Sequence, residues 1–217
     1  MSRTPEAAGS GDRSAVASLD DGTRVLLRPA GRDDGPAILD GFARCSADTR
    51  YFRFLSGGYQ LTDERVHALT DADHRHHAVW LAFDLDASGT PVAALARFVR
   101  STTETHVAEV AFIVADDYQG RGLGRLLLDA LRVSAAVDGV TTFVAKILAE
   151  NGPMLALLLH RGAHVESRDG PELQIRMPLD APELPAIDPG LDGALRDRAE
   201  AAAAMARALE RESAGEP

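Results

Sequence analysis

Cysteine is nearly absent from this chain of 217 residues, in which Cys45 stands alone. A single cysteine excludes a disulfide within the chain and a zinc site built from several thiolates. Aromatic residues account for only 5% of the sequence, and no apolar run approaches the roughly 20 residues that a membrane-spanning helix needs. Residues 1–14 also lack the apolar stretch of a secretion signal, so the sequence predicts a cytoplasmic protein that does not enter a membrane.

Positive charge is also scarce relative to negative charge. The chain has 33 acidic and 23 basic residues, which give a net charge of −10 at pH 7. This charge argues against nucleic acid as a partner and favours cationic partners. With 45% apolar and 26% charged residues the composition is that of a globular protein, and the length suits one domain of ordinary size with tails.

Composition divides the chain into one domain and its tails. Residues 1–20 contain Gly, Ser, Ala and charges without a period, which predicts a disordered tail. Residues 21–180 contain every strand-like pattern and are expected to form the folded domain. Residues 181–190 form a proline-rich linker, and the alanine-rich residues 191–217 are expected to form a helix with a thin apolar stripe. That stripe would pack on the domain, pack on a second copy in a homodimer, or fray.

Strand and helix patterns alternate along the predicted domain. Residues 77–83 and 91–99 read as neighbouring strands, and residues 104–115 follow as a central strand. After them, helix and strand patterns succeed each other. This order predicts an α/β domain, with a central mixed β-sheet flanked by helices.

The central strand leads into a glycine-rich turn and then a helix. Residues 109–115 are mainly β-branched and aromatic, which predicts a strand buried on both faces. Arg125, Asp129 and Arg132 are expected on the outer side of the helix. Its predicted inner face comprises Leu123, Leu126, Leu127, Ala130, Leu131 and Ser134.

Residues 119–124 place three alternating glycines where the strand meets the helix. Glycine permits a positive φ and a close approach to a ligand, and the first turn of a helix has unpaired N–H groups at its positive end. Arg121 and Arg125 are unfavourable there unless something negative lies between them. The turn is therefore a candidate anion site, although arginines on a helix surface are also common.

Two familiar phosphate-binding loops do not match this turn. A Walker loop needs a Lys-Ser/Thr pair after its last glycine, and none follows Gly124. A dinucleotide fingerprint starting at Gly120 would need glycine at the position of Arg125. The next strand also ends in Lys146, where that fingerprint expects an acid.

The turn does resemble the pyrophosphate loop of the GNAT (Gcn5-related) N-acetyltransferases. Its pattern Gln/Arg-x-x-Gly-x-Gly/Ala is met by Gln119, Gly122 and Gly124. The resemblance implies a GNAT-like acyltransferase fold that binds acetyl-CoA or another short acyl-CoA, with no metal. The coenzyme contacts that it implies are Phe112, Ile113, Val114, Gln119, Gly120, Arg121, Gly122, Leu123, Gly124 and Asn151.

The downstream family pattern is matched in part. Asn151 stands where the family has an asparagine that contacts the pantetheine arm, and this residue is equally suited to cap the following helix. Leu158 occupies the position of the tyrosine that protonates the leaving thiolate in many members. Tyr118, His160 or a water could replace that tyrosine, so the general acid stays unassigned.

Glu109 is the candidate general base. A lysine ammonium has a pKa near 10.4, so an acyltransferase needs a group that accepts its proton. The segment Ala-Glu-Val-Ala-Phe around Glu109 resembles the catalytic strand of lysine-acetylating GNAT enzymes. The N–H groups of Ile113 and Val114 are expected to hold the thioester carbonyl. Alternatively, Glu109 is a structural partner of Arg97.

Residues 46–58 narrow the resemblance to the bacterial protein lysine acetyltransferases of the Pat type. The stretch SADTRYFRF fits the pattern Ser-x-x-(Thr/Ser)-x-(Tyr/Phe)-x-Arg-Phe. In that group the segment helps to form the acceptor site. The alternative is a short helix whose aromatic residues are buried in the core.

The sequence therefore predicts acetyl-CoA-dependent transfer of an acetyl group to a primary amine, with a protein lysine as the acceptor. A small-molecule amine acetyltransferase and a non-catalytic acyl-CoA-binding module are the alternatives. The depth of the acceptor site separates the two enzyme classes. The histidine run at residues 74–77 is expected to be a solvated loop rather than a metal site.

Overall fold

One mixed sheet runs through the part of the chain that the computed structural model describes, residues 14–179. Five α-helices and two short 3-10 helices accompany the sheet within these residues. The strands are β1 (Ala15–Ser18), β2 (Arg24–Pro29), β3 (His77–Asp84), β4 (Val92–Arg100), β5 (Val107–Val114), β6 (Thr142–Leu148), β7 (His164–Asp169) and β8 (Glu172–Pro178). The helices are α1 (Gly35–Ala43), α2 (Ala47–Phe54), α3 (Asp63–Thr70), α4 (Leu123–Val137) and α5 (Gly152–His160).

The spatial order of the strands is β1-β2-β3-β4-β5-β6-β8-β7. All neighbouring strands are antiparallel except β5 and β6, which are parallel. A parallel pair needs a long crossover connection, and α4 provides it. The predicted α/β class, with a mixed central sheet flanked by helices, is confirmed.

Apolar side chains cover both faces of the sheet. On one face Ala96, Phe98 and Val110 belong to the core cluster that contains the leucines of α4. On the other face Leu81 and Leu95 belong to a second cluster, to which α1 and α3 also contribute. The central strands are therefore buried between two layers of helices, except where β5 and β6 separate.

Helix α4 is buried more completely than its pattern predicts. All six residues of the predicted inner face are buried, but Asp129 and Arg132, expected outside, are buried as well. The reason is an ion pair with the end of α5, where Arg161 Nη1 donates to Asp129 Oδ1 at 2.8 Å and Nη2 donates to Oδ2 at 3.2 Å. Burial raises the pKa of Asp129, and the positive charge of Arg161 opposes this shift.

Strand β1 corrects the predicted start of the domain. Ala15 and Ala17 are buried, and β1 pairs with β2 in a register that places Ala17 opposite Val25. The domain therefore includes residues assigned to the N-terminal tail. Small alanines gave no strand signal, because the pairing partner is what makes this segment a strand. The rest of that tail, the linker at 181–190 and the helix at 191–217 lie outside the described residues.

Asp34 fixes the turn between β2 and α1. Its buried carboxylate accepts hydrogen bonds from Arg28 Nη1 and Nη2 at 2.7 and 2.6 Å, and from the Gly31 N–H at 2.7 Å. Burial alone would raise the pKa of Asp34, but the bonds from Arg28 and Gly31 outweigh burial and lower this pKa. The ionised carboxylate consequently stabilises the folded state above the pKa of an unfolded aspartate, about 3.9.

We predict that Asp34→Asn lowers the free energy of unfolding by about 1–3 kcal/mol at pH 7, because the amide loses the charge that Arg28 and Gly31 recognise. The difference from wild type should shrink as the pH falls below about 4, since the wild-type carboxylate then takes up a proton. Urea unfolding at several pH values measures both effects. Asp33→Asn, an exposed neighbour in the same turn, is the control and should change little. A difference independent of pH would contradict this account.

Candidate active site

A groove opens where β5 and β6 separate. The two strands are paired only at Val107↔Thr142, Ala108↔Phe143 and Glu109↔Val144. Beyond Glu109, β5 continues along β4 as far as Val114, whereas β6 continues along β8 to Leu148. The facing edges of the two strands therefore leave backbone groups unpaired along the groove.

The register of β4 and β5 decides which N–H groups face this groove. The Ala115 N–H donates to the Ala93 carbonyl at 2.9 Å. Because the bonds of an antiparallel ladder alternate, the Ile113 N–H points to β4, and those of Phe112 and Val114 point to the groove. The predicted role of the Ile113 N–H in holding a thioester carbonyl is therefore wrong, and the same prediction for Val114 remains consistent with the geometry.

The glycine-rich turn forms one end of the groove. Gly120 and Gly122 have φ values of 73° and 87°, which a residue with a side chain rarely adopts. Gly122 is the N-cap of α4 and offers no side-chain cap. Within the described part of the chain, the backbone N–H groups of residues 120–124 donate to no acceptor. These donors at the positive end of a helix are suited to bind an anion.

Two acids explain the arginines in this turn. Arg121 Nη1 lies 3.3 Å from an oxygen of Asp21, and Arg125 Nη2 lies 3.1 Å from an oxygen of Asp20. The Asp20 N–H also donates to the Arg121 carbonyl at 3.1 Å. Asp20 and Asp21, in the turn between β1 and β2, therefore provide negative charge of the kind predicted near these arginines.

Helix α2 is attached to the same end of the groove. Gln119 Nε2 donates to Thr49 Oγ1 at 2.9 Å and to the Val114 carbonyl at 3.1 Å. The Ser46 N–H and the Thr49 hydroxyl donate to Asp116 at 2.8 and 3.1 Å. Asp116 and Gln119 therefore hold the first turn of α2 beside the glycine-rich turn.

No α2 residue is fully buried, so the alternative in which this helix buries its aromatic residues in the core is not observed. Phe52 and Phe54 are partly exposed and line cavities instead. The pattern of aromatics at helical spacing was read correctly as a helix. The alternative assumed that an apolar face must meet the core.

The groove has a volume of about 750 Å³ and brings together nearly all of the predicted coenzyme contacts. Arg121 is the exception, since its side chain pairs with Asp21 and does not line the groove. The predicted residues that do line it are Glu109, Phe112, Ile113, Val114, Gln119, Gly120, Gly122, Leu123, Gly124 and Asn151.

Glu109 lies where the strands begin to separate. Its side chain is exposed and lines the groove, so the prediction of a strand buried on both faces is wrong at this residue. The cause is that α2 and β6 leave space above it. Within residues 14–179 no basic side chain lies within 4.0 Å of its carboxylate, so the alternative of an ion pair with Arg97 is not observed.

The second half of the groove contains Asn151 and Leu158. Asn151 Oδ1 accepts a hydrogen bond from the Met154 N–H at 3.2 Å, which confirms that Asn151 caps α5. The side-chain amide nitrogen of Asn151 takes no part in this cap. Leu158 is buried in the wall of the groove.

Two residues, Tyr118 and His160, were candidates for a general acid. Tyr118 donates its hydroxyl to Asp84 at 2.8 Å, and burial together with Asp84 raises the pKa of Tyr118. His160 does not line the groove, so neither residue presents a free acid there.

A second cavity of about 240 Å³ adjoins the groove. It lies between the sheet and helices α1, α2 and α3, and it shares Arg53, Phe54 and Ile113 with the groove. Arg97 also lines it. This cavity could not be predicted from the sequence, because its residues come from four separate segments. The one available signal was Arg53 set among aromatic residues.

Comparison with known proteins identifies the family of this chain. Residues 45–163 match the model of the family described as "Acetyltransferase (GNAT) family". The chain is 41% identical over 142 residues to the acetyltransferase Pat of Mycolicibacterium smegmatis, which aligns 65% of this chain with 42% of that protein. It is 33% identical over 139 residues to an acetyltransferase of Pseudomonas aeruginosa, covering 64% of this chain and 74% of that protein.

Solved structures show the same fold. The GNAT domain of S. lividans PAT superposes with a TM-score of 0.71 at 25% identity, covering 79% of this chain and 99% of that domain. A cAMP-binding acyltransferase from Mycobacterium smegmatis has a TM-score of 0.57 at 29% identity, covering 90% of this chain and 55% of that structure. The chain thus spans only about half the length of the mycobacterial proteins that it matches.

We predict that Gly122→Ala weakens coenzyme A binding at least about 10-fold. An alanine Cβ at φ 87° is strained and would lie 3.0 Å from Asp20 Oδ2, so the turn must shift and its N–H groups would no longer converge. Calorimetric titration measures the affinity. Gly139→Ala is the matched control, because Gly139 has a similar φ of 75° but lies beyond the other end of α4. Equal affinity of both variants would remove the turn from the binding site.

Proposed function

Because this chain belongs to the acetyltransferase (GNAT) family, we propose that it transfers the acetyl group of acetyl-coenzyme A to a primary amine, and that the groove between β5 and β6 binds the coenzyme. The observation that carries this proposal is the set of unpaired N–H groups at residues 120–124, placed at one end of a groove that also contains Glu109. One elongated ligand in this groove could therefore reach both the anion site and the carboxylate of Glu109.

The coenzyme would bind mainly through backbone groups. Its pyrophosphate accepts hydrogen bonds from the N–H groups of residues 120–124, where the dipole of α4 adds a favourable charge. Its pantetheine arm follows the free edge of β5 and reaches Asn151, whose amide nitrogen is not used by the helix cap. Side-chain charge in this turn contributes less, because Arg121 and Arg125 already contact Asp20 and Asp21.

In the chemical step Glu109 accepts a proton from the ammonium group of the acceptor. The nitrogen then forms a bond to the acetyl carbon while the carbon–sulfur bond breaks, and coenzyme A leaves as a thiolate. The nitrogen releases its second proton through water to this thiolate, which leaves a neutral amide and the free thiol of coenzyme A. The Val114 N–H faces the groove and would donate to the oxyanion that develops on the acetyl group. Leu158 and the engaged hydroxyl of Tyr118 give no support for a side-chain acid in this step.

The acceptor class has two candidates. Similarity to the Pat acetyltransferases favours a protein lysine, as the sequence also predicted. A small-molecule amine is favoured by the cavity beside the groove, because its volume of about 240 Å³ suits a small molecule. The non-catalytic alternative loses support, since the named relatives are acetyltransferases.

We predict that Glu109→Gln lowers kcat by on the order of 10²-fold while the affinity for coenzyme A is unchanged, because glutamine keeps the shape but cannot accept the proton. Single-turnover assays and calorimetry measure the two quantities. Glu104→Gln, an exposed acid before the same strand, is the control and should keep wild-type rates. Wild-type turnover in the Glu109 variant would exclude this residue as the base.

A further inference from the structure

Two arginines in the cavity beside the groove have no anionic partner among the described residues. Arg53 comes from α2 and Arg97 from β4, and both line this cavity. Within residues 14–179 no carboxylate lies within 4.0 Å of either guanidinium. Guanidinium groups at partly buried positions are usually paired, because the removal of a charge from water is costly. A binding partner with a negative charge would satisfy both.

Arg53 is the more constrained of the two. Its Nε is inaccessible to solvent and has no hydrogen-bond partner among the described residues, and its guanidinium lies 4.7 Å from the centre of the Phe54 ring. Burial, with a further effect from the positive charge of Arg97, lowers the pKa of Arg53 to about 10. The side chain therefore stays protonated at neutral pH, and the two positive charges repel each other.

The sheet register places these charges beside the proposed base. Arg97 lies directly opposite Ala111, and Glu109 is two residues from Ala111, so Arg97 and Glu109 project from the same face of the sheet. Beyond the effect of burial, the positive charge of Arg97 lowers the pKa of Arg53, and the negative charge of Glu109 raises it. The arginines thus lie between the apolar interior of the cavity and the end of the groove where the acetyl group would be transferred.

The rest of the cavity is mainly apolar. Ile38, Leu69 and Leu95 line its interior. Arg65 also lines it, but its Nη1 donates to the Gln60 carbonyl at 2.7 Å and its guanidinium lies over the Tyr59 ring. Among the arginines that line this cavity, Arg53 and Arg97 are therefore the two that donate to no acceptor within residues 14–179, and they lie next to an apolar space.

We propose that Arg53 and Arg97 bind the carboxylate of a small acceptor amine, whose apolar group fills the cavity and whose nitrogen faces Glu109. An α-amino acid with an apolar side chain has this chemistry, and its N-acetyl derivative would be the product. The proposal rests on the acetyl transfer proposed above and names its acceptor. A lysine side chain in a protein has no carboxylate beside its amine and would leave both arginines unpaired.

A matched pair of substrates tests the proposal with the wild-type protein. L-Phenylalanine and phenethylamine share the ring and the amine and differ in the carboxylate. We expect kcat/KM, expressed per concentration of free amine, to be about 10- to 100-fold higher for L-phenylalanine, the effect of one charged hydrogen-bonding contact. Glycine, which has the carboxylate without the apolar group, should be a poor substrate. A peptide with one lysine and blocked termini tests the protein-lysine alternative.

Variants assign the effect to the arginines. Arg53→Gln and Arg97→Gln should reduce the preference for L-phenylalanine toward one, mainly through KM. Arg97→Gln should leave the affinity for coenzyme A unchanged, because Arg97 does not line the groove. Arg53→Lys should keep part of the preference, because it keeps the charge without the planar donors. Arg75→Gln is the control, since Arg75 is 71% exposed and lies outside both cavities, and it should behave as wild type.

Several results would overturn the proposal. A wild-type preference near one, a preference unchanged in both glutamine variants, or a faster reaction with the lysine peptide would each exclude the carboxylate site while leaving acetyl transfer intact. Coenzyme A binding without acetylation of any amine would instead overturn the proposed function, and this inference with it. The comparison in wild-type protein decides the question even if a variant fails to fold.

Discussion

The separation of β5 from β6 after Glu109 is the constraint on which the rest of the site depends. These are the two parallel neighbours of the described sheet, and their pairing stops at Val144, although β5 continues along β4 and β6 continues along β8. The separation leaves an edge of unpaired backbone groups, exposes Glu109 and opens a groove with a volume of about 750 Å³. Because α4 crosses over between these strands, its N-terminus lies at the same opening. The anion site, the proposed base and the groove therefore all depend on the separation of β5 from β6.

Charge is distributed so that backbone donors are left for the ligand. Asp20 and Asp21 contact the arginines of the glycine-rich turn, which reduces the unfavourable interaction of those cations with the dipole of α4. The N–H groups at residues 120–124 have no such partner among the described residues. Arg53 and Arg97, by contrast, have no carboxylate within 4.0 Å among residues 14–179. The site therefore presents a second positive region, on the same face of the sheet as Glu109.

The glycine-rich turn, the helix after it and the mixed sheet could be predicted because each rests on local signals. Residues 119–124 combine glycine spacing with a strand before and a helix after, and these features are contiguous in sequence. The direction of the Ile113 N–H could not be predicted, since it depends on the register with β4. Strand β1 and the burial of Asp129 likewise depend on distant partners, Val25 and Arg161. The cavity around Arg53 needed the packing of three helices, which no local pattern encodes.

The most direct test of the groove is a nuclear magnetic resonance titration of the amide-labelled protein with coenzyme A. We predict that the N–H signals of residues 120–124 and of Val114 shift most and become protected from exchange with water, because these groups donate to the ligand. The signals of Ile113 and its partners in β4 should move less, since those N–H groups stay in the ladder. Large shifts confined to β7 and β8, with residues 120–124 unchanged, would contradict the assignment of the groove as the coenzyme site.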